Sequence, residues 1–151
     1  MGRRLATGST IGVTLVEAVI VIVLAGLLLA TAVPAFGIID RWSLSRAATI
    51  TERHLAGVRL RAVARRERLR VRLLPPGTLE TVDPSGAVLD RRALGPPDAG
   101  YVDSVVVRPR TLGFNARGHG AAGSVYLYRR GRGIRVVINF VGRIRRHAFR
   151  P

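Results

Sequence analysis

No cysteine occurs in the 151 residues, so disulfides, thiolate zinc sites and a cysteine nucleophile are excluded. Lysine is missing too: all 25 basic residues are arginines, against nine acidic ones, for a formal net charge of +16. Such a uniform preference is also what GC-rich coding produces, so only part of it is chemistry. The histidines are just three, His54, His119 and His147, and they have no metal-ligand spacing. There is no Gly-x-Ser-x-Gly, no P-loop and no Gly-x-Gly-x-x-Gly following a strand pattern, and Gly131-Arg132-Gly133 reads as a turn. The few carboxylates are scattered, with no pair placed for acid–base work. These absences leave no catalytic residue, cofactor or metal to assign, and a non-enzymatic protein is expected.

What the chain has in quantity is apolar surface, unevenly spread. It is 48% hydrophobic with a mean hydropathy of +0.23, too apolar for a disordered tail. Residues Met1 to Gly12 form a polar leader carrying Arg3 and Arg4. From Val13 to Ile39 the only charge is Glu17, and Ala18 to Ile39 are 22 consecutive uncharged residues. As a helix that run spans about 33 Å, enough to cross a bilayer core. A secretory signal cleaved near Ala30-Thr31-Ala32 and a simple membrane anchor are the ordinary readings. Neither has a use for Glu17. A carboxylate at the mouth of an apolar run is costly and implies a partner.

Beyond the run, Asp40 to about Arg66 is amphipathic. Leu44, Ala48, Thr51, Leu55, Val58 and Ala62 recur at four-then-three spacing and share one helix face, which suits packing on a sheet. Leu69 to Leu74 alternates arginine with apolar residues until Pro75-Pro76-Gly77 stops it, a strand pattern. Further strands are expected at Val102–Val107, Thr111–Asn115, Ser124–Tyr128, Ile134–Phe140 and Ile144–His147, separated by turns such as Gly118-His119-Gly120 and Arg130-Gly131-Arg132-Gly133. Thr78 to Gly100 has weak periodicity and reads as loop with one strand at most. A long helix followed by an antiparallel sheet is an α+β arrangement.

Gly12-Val13-Thr14-Leu15-Val16-Glu17, followed at once by the apolar run, resembles the class III leader of type IV prepilins and type II secretion pseudopilins. The resemblance implies cleavage by a prepilin peptidase between Gly12 and Val13 and N-methylation of Val13, where the family normally has Phe or Met. It also implies that Glu17 pairs with the terminal amine of a neighbouring subunit during assembly. Pairing would offset the desolvation of both groups and set the axial register. Pro34 matches a helix-bending proline of these proteins. Leu112-Gly113-Phe114-Asn115-Ala116-Arg117-Gly118 and, after a hairpin, Val141-Gly142-Arg143-Ile144-Arg145 resemble the GspH/FimT branch of minor pilins and pseudopilins.

From this resemblance a pilin-like fold is expected, with leader 1–12, a filament-core or transmembrane helix 13–39 and a periplasmic domain 40–151. The implied protein is single-pass in the inner membrane, with pilin or pseudopilin subunits and the prepilin peptidase as partners. The arginine count opposes this orientation, with Arg3 and Arg4 on one side and Arg41, Arg46 and Arg53 on the other. Its function would be that of a minor pseudopilin of a type II secretion system. The alternative is a FimT-like minor pilin that binds DNA without sequence preference for uptake. Ser104 to Pro151 holds eleven arginines and no acidic residue, a field suited to phosphates, acidic lipid or acidic subunits. Arg143 and Arg145, alternating along the expected final strand, and the adjacent Arg146 are the candidate DNA contacts, with Arg129, Arg130 and Arg132 at the preceding turn. Mass spectrometry of the membrane-extracted protein is expected to find methylated Val13 as the first residue. A terminus at Val33 would identify an ordinary signal peptide instead.

Overall fold

The computed structural model describes residues 14–95 and 101–150, with side chains described for all of these except 31–39; Gly12 and Val13 lie outside this range. Helix α1 runs from Leu15 to Arg65, and its assignment passes through Pro34. Thr14 caps it: its hydroxyl accepts the Glu17 N–H at 3.3 Å, and Thr14-x-x-Glu17 has the spacing of a capping box. The other end closes in a Schellman pattern, with Glu67 N–H on the Ala62 carbonyl and Arg66 N–H on Val63. Arg66 takes the left-handed position usually held by glycine, at φ 54°.

The chain divides into two compact units, residues 1–38 and 39–151. In the first, every described side chain from Thr14 to Ala30 is exposed, including Leu15 at 82% and Ile22 at 70%. Among the described residues no helix is long and apolar enough to cross a membrane.

The second unit packs helix residues 40–65 with two four-stranded antiparallel sheets rather than the single sheet expected. Strands β1 (Leu69–Leu74), β2 (Thr78–Val82), β3 (Val88–Ala93) and β5 (Thr111–Phe114) form one, in the order β3-β2-β1-β5. Strands β4 (Ser104–Arg108), β6 (Gly123–Arg129), β7 (Arg132–Ile138) and β8 (Ile144–Phe149) form the other, in the order β4-β6-β7-β8. The helix stripe Leu44, Ala48, Thr51, Leu55, Val58 and Ala62 is fully or almost fully buried, joined by Ala47. It shares one core with Leu69, Val71, Leu79, Leu112 and Phe114 of the first sheet and Val107, Val125, Leu127, Val136 and Ile138 of the second. Thr51 is accommodated because its hydroxyl donates back to the Ala47 carbonyl at 2.9 Å.

Residues 78–100, expected to be mostly loop, contain two strands. Their alternation is obscured by Glu80, which lies opposite Arg72 of β1 and Arg91 of β3. Its carboxylate accepts from Arg72 Nε at 2.5 Å and Arg91 Nε at 2.9 Å, so a buried acid at the centre of β2 ties three strands together. The Arg72 hydrogen bond, followed by that of Arg91, holds this carboxyl below the usual range.

A second polar link joins helix to sheet. His54, whose side chain is 1% exposed, places Nε2 3.1 Å from Thr81 Oγ1 on β2 and Nδ1 3.7 Å from Asp90 Oδ2 on β3. Burial pushes the His54 imidazole down to about 4, against the opposing pull of Asp90. The unfolded chain takes up that proton near 6.5, so the neutral ring favours the folded state above that value. Stability is therefore expected to be level above pH 6.5, to fall by up to about 3 kcal/mol as pH drops to about 4, and to flatten below for this group. Urea unfolding at a series of pH values checks this. His54→Leu should lower stability at pH 7 and remove the fall between pH 6.5 and about 4 that this group contributes.

Candidate functional site

The two segments that carried the family resemblance in the second unit meet in space. Asn115-Ala116-Arg117-Gly118 follows β5, and Asn139-Phe140-Val141-Gly142 joins β7 to β8. Each is an asparagine-led turn closed by a left-handed glycine, at φ 77° for Gly118 and 82° for Gly142. Asn115 Oδ1 accepts the Arg117 and His119 N–H groups at 2.9 and 3.0 Å, and Asn139 Oδ1 accepts the Arg143 N–H at 2.8 Å. In each turn the glycine N–H donates to the asparagine carbonyl at 2.9 Å. The turns are joined by Gly120 N–H on the Phe140 carbonyl and tied to the helix by Arg59 Nε on the Gly118 carbonyl at 3.0 Å. A Cβ on Gly142 would overlap that same Gly118 oxygen. The repeated Asn-x-x-Gly spacing is the signal by which the sequence could have paired these turns. The rim of this junction exposes Phe140 at 73% and Val141 at 48%.

The arginines expected to form one DNA patch separate. Arg143 stands one residue before β8, where its N–H and carbonyl both bond Asn139. Arg145 lies opposite Val137 and Arg146 opposite Val136, which puts these neighbours on opposite faces of the sheet. Arg129 and Arg130 are held by Asp40 at 2.9 and 3.1 Å, and the Arg130 N–H bonds Asp103 at 2.8 Å. The Arg129 hydrogen bond, helped by Arg130, keeps the Asp40 carboxyl below the usual carboxylate range. Asp40 is the first charge after the apolar run, and nothing local in the sequence marked it as a clamp on a turn 89 residues away.

Charge is neutralised unevenly. Glu80 holds Arg72 and Arg91, Asp90 holds Arg61 and lies near Arg92, and Glu67 lies near Arg65. The outer face of the second sheet has no acid. Register places three ranks of side chains across β4, β6, β7 and β8: Ser104, Tyr128, Gly133 and Phe149; Val106, Tyr126, Arg135 and His147; Arg108, Ser124, Val137 and Arg145. Tyr126 and Tyr128 lie nearly parallel with centroids 6.5 Å apart, and Phe149 meets each edge-on at 5.9 and 5.7 Å. Phe149 reaches them because it lies over Gly133, where a Cβ would strike its ring. Among the described residues no group of three or more metal-ligating side chains is placed to hold an ion.

The arrangement of α1 on these sheets has counterparts. Two crystal forms of the type IV minor pilin FimU of Pseudomonas aeruginosa match it with TM-scores of 0.57 and 0.56. The chain has a type IV pilin fold. The matches cover 70% and 69% of this chain and 89% and 92% of FimU, at 22% identity. No family model and no curated protein matches the sequence. The pilin-like α+β expectation therefore holds, with the sheet divided in two.

The joined turns make a testable demand on this folded domain. Gly142→Ala combines a left-handed backbone with a clash against the Gly118 carbonyl, whereas Gly131→Ala meets the backbone demand in open space. Gly131→Ala is expected to cost about 1 kcal/mol and Gly142→Ala about 3 kcal/mol or more, read as thermal midpoints of the two variants.

Proposed function

We propose that this protein is a minor structural subunit of a pilus-type filament, matured by prepilin peptidase between Gly12 and Val13 and held in the inner membrane until assembly. The observation that carries this reading is the exposed apolar helix from Leu15 to Ala30, headed by the Thr14–Glu17 cap and continued into a folded pilin domain. Such a surface needs lipid before assembly and other apolar helices afterwards. Glu17 sits in the first turn, where a neighbour's terminal ammonium would find an acid inside an otherwise apolar bundle. The net charge of +16 disfavours a filament of this chain alone, since identical copies repel, and suits a subunit used sparingly among less basic ones.

Within this class the GspH/FimT-like turns fit a place in the pseudopilus of a type II secretion machine and equally a minor pilin. The likeness to FimU favours the equivalent place in a type IV pilus. Flanking genes for a secretin-linked secretion apparatus or for pilus components distinguish the two settings.

Glu17→Ala is expected to leave membrane insertion and the thermal midpoint of the domain unchanged while incorporation into sheared filaments falls to background. Normal incorporation of the variant would remove Glu17 from assembly.

A further inference from the structure

We propose that the outer face of the second sheet binds single-stranded nucleic acid, stacking bases on Tyr126, Tyr128 and Phe149 and holding phosphates with Arg108, Arg135 and Arg145. The proposal does not depend on the filament reading. It concerns a different set of arginines from the duplex contacts expected from the sequence, sharing with them only Arg145, and a different form of nucleic acid.

Three observations converge on this face. The first is charge. Among the described residues Arg108, Arg135 and Arg145 are exposed and make no ion pair, whereas acids elsewhere hold Arg61, Arg72, Arg91, Arg129 and Arg130. No acidic side chain lies on the face, and exposed His147 stands beside Arg135 in register. An anionic chain laid across it meets only positive or neutral groups.

The second observation is the aromatic trio. Tyr126 and Tyr128 stand two residues apart on inner strand β6, and Phe149 joins them from edge strand β8. All three are half-buried on a face whose opposite side is the core. An outward aromatic cluster adds nothing to that core, but it provides ring surface on the same sheet face as the three arginines. Every base has a π-face, so such a platform accepts any sequence.

The third observation is geometry. Aromatic rings on a four-stranded antiparallel sheet, with cations around them, form the arrangement by which sheet modules stack unpaired bases. A duplex keeps its bases stacked on one another and offers this face phosphates alone. An acidic protein surface would use the arginines, and the experiment separates that case.

The test uses the full chain in detergent micelles, with fluorescence anisotropy of an oligothymidylate of about twelve nucleotides and of a duplex of equal length. The single strand is expected to bind about tenfold tighter or more than the duplex. Its log affinity should fall with log salt at a slope near 2, from three phosphates at about 0.7 each. Tyr126→Leu with Tyr128→Leu should weaken single-strand binding about tenfold and leave the slope unchanged. Arg135→Gln with Arg145→Gln should lower the slope by about 1.4. Arg146→Gln, on the opposite face of β8, should change single-strand affinity little.

Equal affinity for single strand, duplex and inorganic polyphosphate, unaltered by the leucine pair, would reduce the face to a charge effect and overturn the proposal. So would no oligonucleotide binding, or binding of phosphatidylglycerol vesicles alone; the first would point to an acidic protein partner and the second to lipid. Thermal melts accompany each variant. If the leucine pair fails to fold, Tyr126→Phe with Tyr128→Ser takes its place, and retained full affinity in that folded variant overturns the stacking role.

Discussion

One helix face holds the folded domain together. The stripe from Leu44 to Ala62 combines small buried residues, Ala47, Ala48 and Ala62, with bulkier ones, Leu44, Leu55 and Val58. Small residues let a helix approach closely, and the leucines interdigitate with side chains from two sheets at once. Neither sheet alone would bury its apolar face. The helix turns two marginal four-stranded sheets into one core, and the outward surfaces of both sheets are then left for other uses.

Those surfaces have diverged electrostatically. The first sheet encloses its acids: Glu80 is an internal counter-ion for two strands, and Asp90 faces the helix through Arg61 and His54. The second sheet carries arginines with no acid on its outer face. Seven of the 25 arginines lie within ion-pair distance of an acid among the described residues, and none of these seven is on that outer face. On the second sheet, arginines without a counter-ion stand on the same face as an aromatic cluster.

The helix and most strands were legible because their signals are local. Period-3.6 burial marked Leu44 through Ala62, and alternation marked β1. Strands β2 and β3 were not legible, since Glu80, Asp90, Arg91 and Arg92 break the apolar alternation and make sense only across the sheet. The division into two sheets also escaped, because strand order depends on which distant strands pair; β1 pairs with β5, past β4. The turn residues Gly118 and Gly142 were visible as a signature, but their meeting over Arg59 was not. The arginines near the final strand were legible only in part: Arg145 and Arg146 are adjacent on β8 and face opposite ways, which depends on where the strand pairs.

Two of the polar ties between the helix and the rest of the domain also have a mechanical reading. Asp40 grips the β6–β7 turn and Arg59 grips the turn after β5, 19 residues further along α1, about 28 Å of helix. A pull directed along this part of the helix would load both anchors together, in shear, with the apolar seam between them. Peeling from one end would have to break one tie before the seam opens. A helix riveted near both ends of its contact is suited to carrying axial tension without unzipping from its sheets.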